Sequence, residues 1–193
     1  LVLERVWQMP YAELFALSIP GAVMYGVAAL PAGWLADRWS AAGMMAIFFI
    51  GTGGASILTG LAEGPWQLAA GLTAIGTFSA IYHPVGVPWL IKHSRNHGRA
   101  LGLNGVFGSG GTAIAALVAG ALADLWGWRA AFMLPGLLCI ATGIAFIIAI
   151  RLDFIVEGEG EASPAPSSAR SDRARAFALL AITVMCSGLI YQL

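Results

Sequence analysis

The 193-residue sequence predicts an all-α protein that crosses a membrane several times. Three observations predict it. Apolar runs fill residues 14–36, 39–62, 64–91, 100–123, 130–150 and 176 to the end; about 20 residues of helix span a hydrocarbon core of about 30 Å. Only 10% of residues are charged against 59% hydrophobic, and the mean hydropathy is +0.80. That balance leaves too little polar surface to cover a water-soluble globule. Finally, the cations fall on alternate loops. Arg38, then Lys92, Arg95 and Arg99, then Arg151, Arg170, Arg173 and Arg175 share one side, while Arg5 and Arg129 share the other. This asymmetry places the first group in the cytoplasm by the positive-inside rule.

The elements follow in order. Residues 1–8 face outward, with Glu13 solvated near the outer end of the first span, 14–36. The spans 39–62 and 64–91 meet at an outer turn, 62–65, and the spans 100–123 and 130–150 at an outer turn, 124–129. All the tryptophans (Trp7, Trp34, Trp39, Trp66, Trp89, Trp126 and Trp128) fall near expected span ends, where an amphipathic indole prefers the headgroup boundary. Residues 152–174 break the rhythm with an acidic Gly-Glu stretch, a Ser-Pro stretch and two arginines, Arg170 and Arg173. Low hydrophobicity and proline make that segment a disordered cytoplasmic linker, with another helix opening at 175–193. Cys139 and Cys186 sit inside apolar runs and read as small hydrophobes, not as a disulfide or metal pair. A net charge of zero gives no basic field for nucleic acid.

The turn Gly33-Trp34-Leu35-Ala36-Asp37-Arg38 sets a carboxylate and a guanidinium at a helix end beside a small residue. Such a pair can latch one helix to another and release it; the plainer reading is an interfacial pair worth about 0–1 kcal/mol. Glycines 102, 105, 108 and 111 line one run, where small residues permit either static tight packing or sliding of neighbours. Here the sequence resembles the major facilitator superfamily of secondary transporters: Gly33, Leu35, Ala36, Asp37 and Arg38 match its loop between helices 2 and 3. Ser40, Ala41 and Ala42 replace that loop's usual glycine and two basic residues. The segment 103–111 and Gly127-Trp128-Arg129 with Phe132 resemble its helix 5 and its turn into helix 6. The resemblance implies a partial major-facilitator-type helical bundle. Residues 1–151 would carry helices 2–6 without helix 1, 152–174 the central linker, and 175–193 the start of helix 7 of a C-terminal half. It implies a gating role for Gly33, Asp37 and Arg38, and a packing role for Gly105, Gly108 and Gly111. Leu72 and Ala115-Ala116 stand where drug–proton antiporters carry an arginine and a Gly-Pro step, so drug antiport is not implied.

His83 is the sharpest single candidate. At 1.5 Å per residue it lies about 13 Å inside the Lys92 end of its run, and an ionisable group at that depth is a functional hypothesis by default. Imidazole can exchange a proton near neutral pH or hydrogen-bond a polar solute; the alternative is a neutral ring paired with a neighbouring helix. Pro84 removes the helical bond to the Ala80 carbonyl and predicts a kink. Tyr82 and Asn104 are candidate cavity-lining partners, with interhelical pairing the alternative for each. Tyr82-His83-Pro84 also resembles transporters of the fosmidomycin-resistance type. His93 and His97 have an i, i+4 spacing known from metal sites, which in a basic loop is incidental. No metal, cofactor, nucleophile–base set, phosphate loop or paired carboxylates are expected. The expectation is therefore a multi-pass protein of the plasma (inner) membrane that moves a small organic solute by alternating access, with the proton as candidate coupling ion. The rivals are an intramembrane enzyme using His83, His93 and His97, and a signalling or scaffold protein that kept the bundle without transport.

Overall fold

The computed structural model describes residues 2–94 and 96–152. Nearly all of the expected linker, 152–174, and the expected helix at 175–193 lie outside them, as do Arg95 and Cys186. The described chain is helical throughout: α1 (Val2–Trp7), α2 (Tyr11–Ala16), α3 (Ile19–Arg38), α4 (Ala41–Gly60), α5 (Pro65–Ser79), a π-helical turn (Tyr82–Gly86), α6 (Val87–Lys92), α7 (His97–Trp126) and α8 (Trp128–Arg151). Among the described residues, the segments Tyr11–Arg38, Ala41–Gly60, Pro65–Lys92, His97–Trp126 and Trp128–Arg151 are long and apolar enough to cross a membrane. The described residues thus form the all-helical bundle that the sequence predicts.

Local chemistry sets the boundaries. Ser40 is extended, and its Oγ accepts the Gly43 N–H at 2.9 Å to start α4. Asn96 does the same for α7, its Oδ1 accepting the Arg99 N–H at 2.9 Å. Each cap satisfies one of the four donors a helix start leaves open. Pro65 opens α5, where its missing N–H costs nothing. Gly127 joins α7 to α8 at φ +87°, a left-handed conformation that a side chain would strain. The first expected span, 14–36, departs from a single helix. Pro20 cannot donate to the Ala16 carbonyl, the Ser18 hydroxyl donates to the Phe15 carbonyl at 2.7 Å, and the chain breaks between α2 and α3.

The bundle is built around α4, which packs most extensively against α8 and then against α5, while α3 packs on α5. Many of its buried residues are small or flexible (Ala32, Ala42, Ala55, Ala69, Ala80, Met44 and Met45), beside the larger Leu68, Ile81, Val85 and Trp128. Large side chains such as Leu30, Phe107, Leu117 and Leu138 point outward, at 70–82% exposure. Lipid tails are as apolar as leucine, so burying a large side chain gains little, whereas small residues let backbones approach and add van der Waals contact. Two positions show how close. A Cβ at Gly53 would stand 2.6 Å from the Gly136 carbonyl oxygen, and one at Gly21 would stand 2.6 Å from that of Leu72.

The glycines singled out from the sequence lie on α7. At Gly105, Gly108 and Gly111 on α7 an added Cβ would meet nothing within 4 Å among the described residues. Among the described residues the tight glycine contacts lie between α4 and α8, α4 and α5, and α3 and α5. Glycine is abundant in the apolar runs, and spacing alone does not tell which stripe meets a neighbour.

Candidate functional site

The site grows from the span Pro65–Lys92. Two prolines four residues apart, Pro84 and Pro88, cannot donate to the carbonyls of Ala80 and Pro84. At the expected break the backbone widens into the π-helical turn at Tyr82–Gly86 before resuming as α6. Single π turns within α-helices recur at functional sites. Beneath the turn lies an apolar cluster of Ala32, Met44, Met45, Ile81 and Val85, against which Tyr82 and Phe48 also pack. That cluster gives the irregular backbone a firm floor.

On this floor the turn displays Tyr82 and His83. The Tyr82 hydroxyl donates to Asn104 Oδ1 on α7, a bond between residues 22 apart in sequence. Its ring lies 5.6 Å from Phe48, tilted at 38°. His83 is exposed and held edge-on by two phenols: Tyr82 at 5.6 Å and 72°, and Tyr25 of α3 at 6.1 Å and 88°. The structure thus brings His83, Tyr82 and Asn104 into one cluster and adds Tyr25. Tyr25 lies inside the first apolar run. Its partner is far away in the chain, so no local signal marked it. Two polar groups of α5 are occupied within their own helix, since Thr73 donates to the Ala69 carbonyl at 2.7 Å and Thr77 to that of Thr73 at 2.8 Å.

The cluster offers polar groups without fixed charge. It holds an exposed imidazole, two phenolic oxygens and the Asn104 carboxamide, whose NH₂ keeps its donors when Oδ1 accepts from Tyr82. The acidic residues of the described chain, Glu4, Glu13, Asp37, Glu63 and Asp124, stand in α1, in α2, in an interhelical turn or at the ends of α3 and α7. The arrangement therefore suits hydrogen bonding and ring contact to a polar organic molecule.

The loop motif lies at the Lys92 end of the bundle. Arg38 places its guanidinium 4.3 Å above the Trp34 ring, a cation–π contact within the turn. Asp37 and Arg38 are both exposed. Gly33 faces inward, and a Cβ there would stand 3.3 Å from the Pro84 Cβ, so the motif's glycine abuts the π turn. At the opposite end, Arg129 donates from Nη2 to the Ala62 carbonyl at 3.0 Å and lies 4.7 Å over Trp128, tying α8 to the turn after α4. His93 approaches the Trp89 carbonyl at 2.8 Å through Nδ1 and lies against the Trp89 ring at 4.5 Å. A cavity of about 910 Å³ opens between α1–α2 and the facing ends of α7 and α8, beside Arg5, Phe15 and Asp124. None of its lining residues belongs to the cluster.

Comparison with known proteins agrees with this architecture. The family model described as Major Facilitator Superfamily matches residues 12–193. The chain is 31% identical over 137 residues to the membrane sensor protein UhpC of Salmonella typhimurium (strain LT2), an alignment covering 67% of this chain and 30% of that protein. The chain thus spans less than a third of that relative's length.

Proposed function

Because the chain belongs to the major facilitator superfamily, we propose that it forms part of a secondary transporter carrying a small organic solute by alternating access. In this reading residues 1–151 make one bundle, which rocks against a second around a site near the midplane; 152–174 form the cytoplasmic link, and 175–193 open the second bundle. His83, Tyr82 and Asn104 contact solute or proton, and Asp37 with Gly33 and Arg38 steadies one of the two states. The observation that supports this best is the exposed imidazole held between two phenols on an irregular turn of a membrane helix. Irregular backbone at membrane depth is tolerated where it is buried in protein or lines a cavity. The energy source is an ion gradient or the solute's own gradient, with the proton as coupling ion.

The test uses the full-length protein in proteoliposomes, with a panel of labelled neutral and singly charged organic solutes and an imposed proton gradient. At least one solute should accumulate faster with the gradient. His83→Ala should lower that rate by about tenfold or more, the scale of one lost hydrogen bond to a charged group. Wild-type flux in the variant removes His83 from the mechanism. A second reading, a solute sensor that binds without moving its ligand, is favoured by the name of the relative, a membrane sensor protein. Saturable binding to the reconstituted protein without uptake under any gradient would select it.

A further inference from the structure

Gly86 is buried, and its backbone lies at φ −68°, ψ −41°, an ordinary helical conformation open to any residue. Alanine would be favoured there by about 1 kcal/mol on intrinsic helix propensity. The requirement for glycine is therefore one of space, and the surroundings show whose space it is. A Cβ at Gly86 would stand 2.9 Å from Tyr82 Cδ2, 3.0 Å from Tyr82 Cε2 and 3.1 Å from Met45 Sδ. Real Cβ atoms do not sit so close to a ring. Met45 is 5% exposed and belongs to the apolar floor with Ile81 and Val85, so it has little room to retreat. The group that must yield is the Tyr82 ring, which lies over Gly86 with its hydroxyl on Asn104 of α7 and its plane at 72° to that of His83.

We infer that Gly86 is a positioning residue for Tyr82: the missing side chain is the seat on which the phenol lies, and that seat aims its hydroxyl across to Asn104. A methyl at 86 lifts the ring, breaks the bond to α7 and moves one of the two edges that hold His83. The inference deepens the site proposed above and rests on that reading only for its bearing on transport. Its test therefore reads geometry through stability and needs no solute.

The experiment is a double-mutant cycle on the full-length protein in lipid nanodiscs, following thermal unfolding of wild type, Gly86→Ala, Tyr82→Ala and the double variant. If Gly86 acts through the ring, Gly86→Ala lowers the midpoint by several degrees in the wild-type background and costs little once the ring is gone, the non-additivity expected of residues in contact. If Gly86 serves only the backbone of the π turn, both backgrounds lose equally, and that outcome overturns the inference. Should Gly86→Ala alone fail to fold, recovery of folded protein on adding Tyr82→Ala supports the seat, and failure of both overturns it. Because no flux is measured, a positive cycle beside an inactive transporter would remove the proposed function and leave the positioning role standing.

Discussion

Tyr82 and Asn104 show what a single residue pair contributes. Their hydrogen bond joins two helices inside the apolar layer, where such bonds average about 0.6 kcal/mol and reach about 1.7. Tyr82→Phe leaves the ring seated and strips Asn104 Oδ1 of its donor, so a small loss of thermal stability is expected. Tyr82→Phe with Asn104→Leu should recover part of that loss, because removing both partners leaves no polar group stranded. Unfolding midpoints of the three proteins in nanodiscs check this; a double variant less stable than Tyr82→Phe would contradict it. At this scale the sequence grouped His83, Tyr82 and Asn104 as one candidate cluster but did not single out the bond between Tyr82 and Asn104. Which ring edges surround His83 depends on α3 lying beside the π turn, and Tyr25 becomes visible only through that packing.

At the scale of elements, span existence and approximate limits were legible from hydropathy, and the caps at Ser40 and Asn96 fall where polar residues precede apolar runs. The breaks were only partly legible. Proline announces that a bond is missing, but whether the helix bends, stops or widens depends on what lies under it. At Pro20 the chain stops, and at Pro84 it widens over a packed floor. Glycine packing was the least legible, and it supplies a sharp contrast. Gly53 and Gly54 are neighbours on α4, yet a Cβ at 53 runs into the Gly136 backbone while one at 54 meets nothing within 4 Å. Gly53→Ala should destabilise the protein by about 1–3 kcal/mol through overpacking. Gly54→Ala should be neutral or stabilising by up to about 1 kcal/mol through helix propensity. Chemical unfolding of both variants decides it, and equal effects would refute the packing of α4 on α8.

At the scale of the molecule, antiparallel helices joined by short turns gather the ends carrying Arg38, Lys92, Arg99 and Arg151 together, away from Glu63, Trp126 and Arg129. Cysteines at Trp39 and Ser94 should react with a membrane-impermeant maleimide from one side of sealed vesicles, and cysteines at Glu63 and Trp126 from the other. The positive-inside rule assigns the first pair to the cytoplasm. Labelling of Trp39→Cys and Ser94→Cys from opposite sides would dismantle the topology. This level was the most legible, because it depends on run length and charge and not on which side chains meet.

A π turn holds more residues per revolution than the 3.6 of the α-helix on either side. The span Pro65–Lys92 therefore carries a phase slip. Faces counted along Pro65–Ser79 do not continue into Val87–Lys92. Excising one residue from 82–86 would restore a uniform screw and swing Trp89 and Lys92 by about 100° about the axis. This is the span in which an indel is absorbed as rotation rather than as rupture, and in which heptad-style alignment with other sequences would misassign which residues look inward.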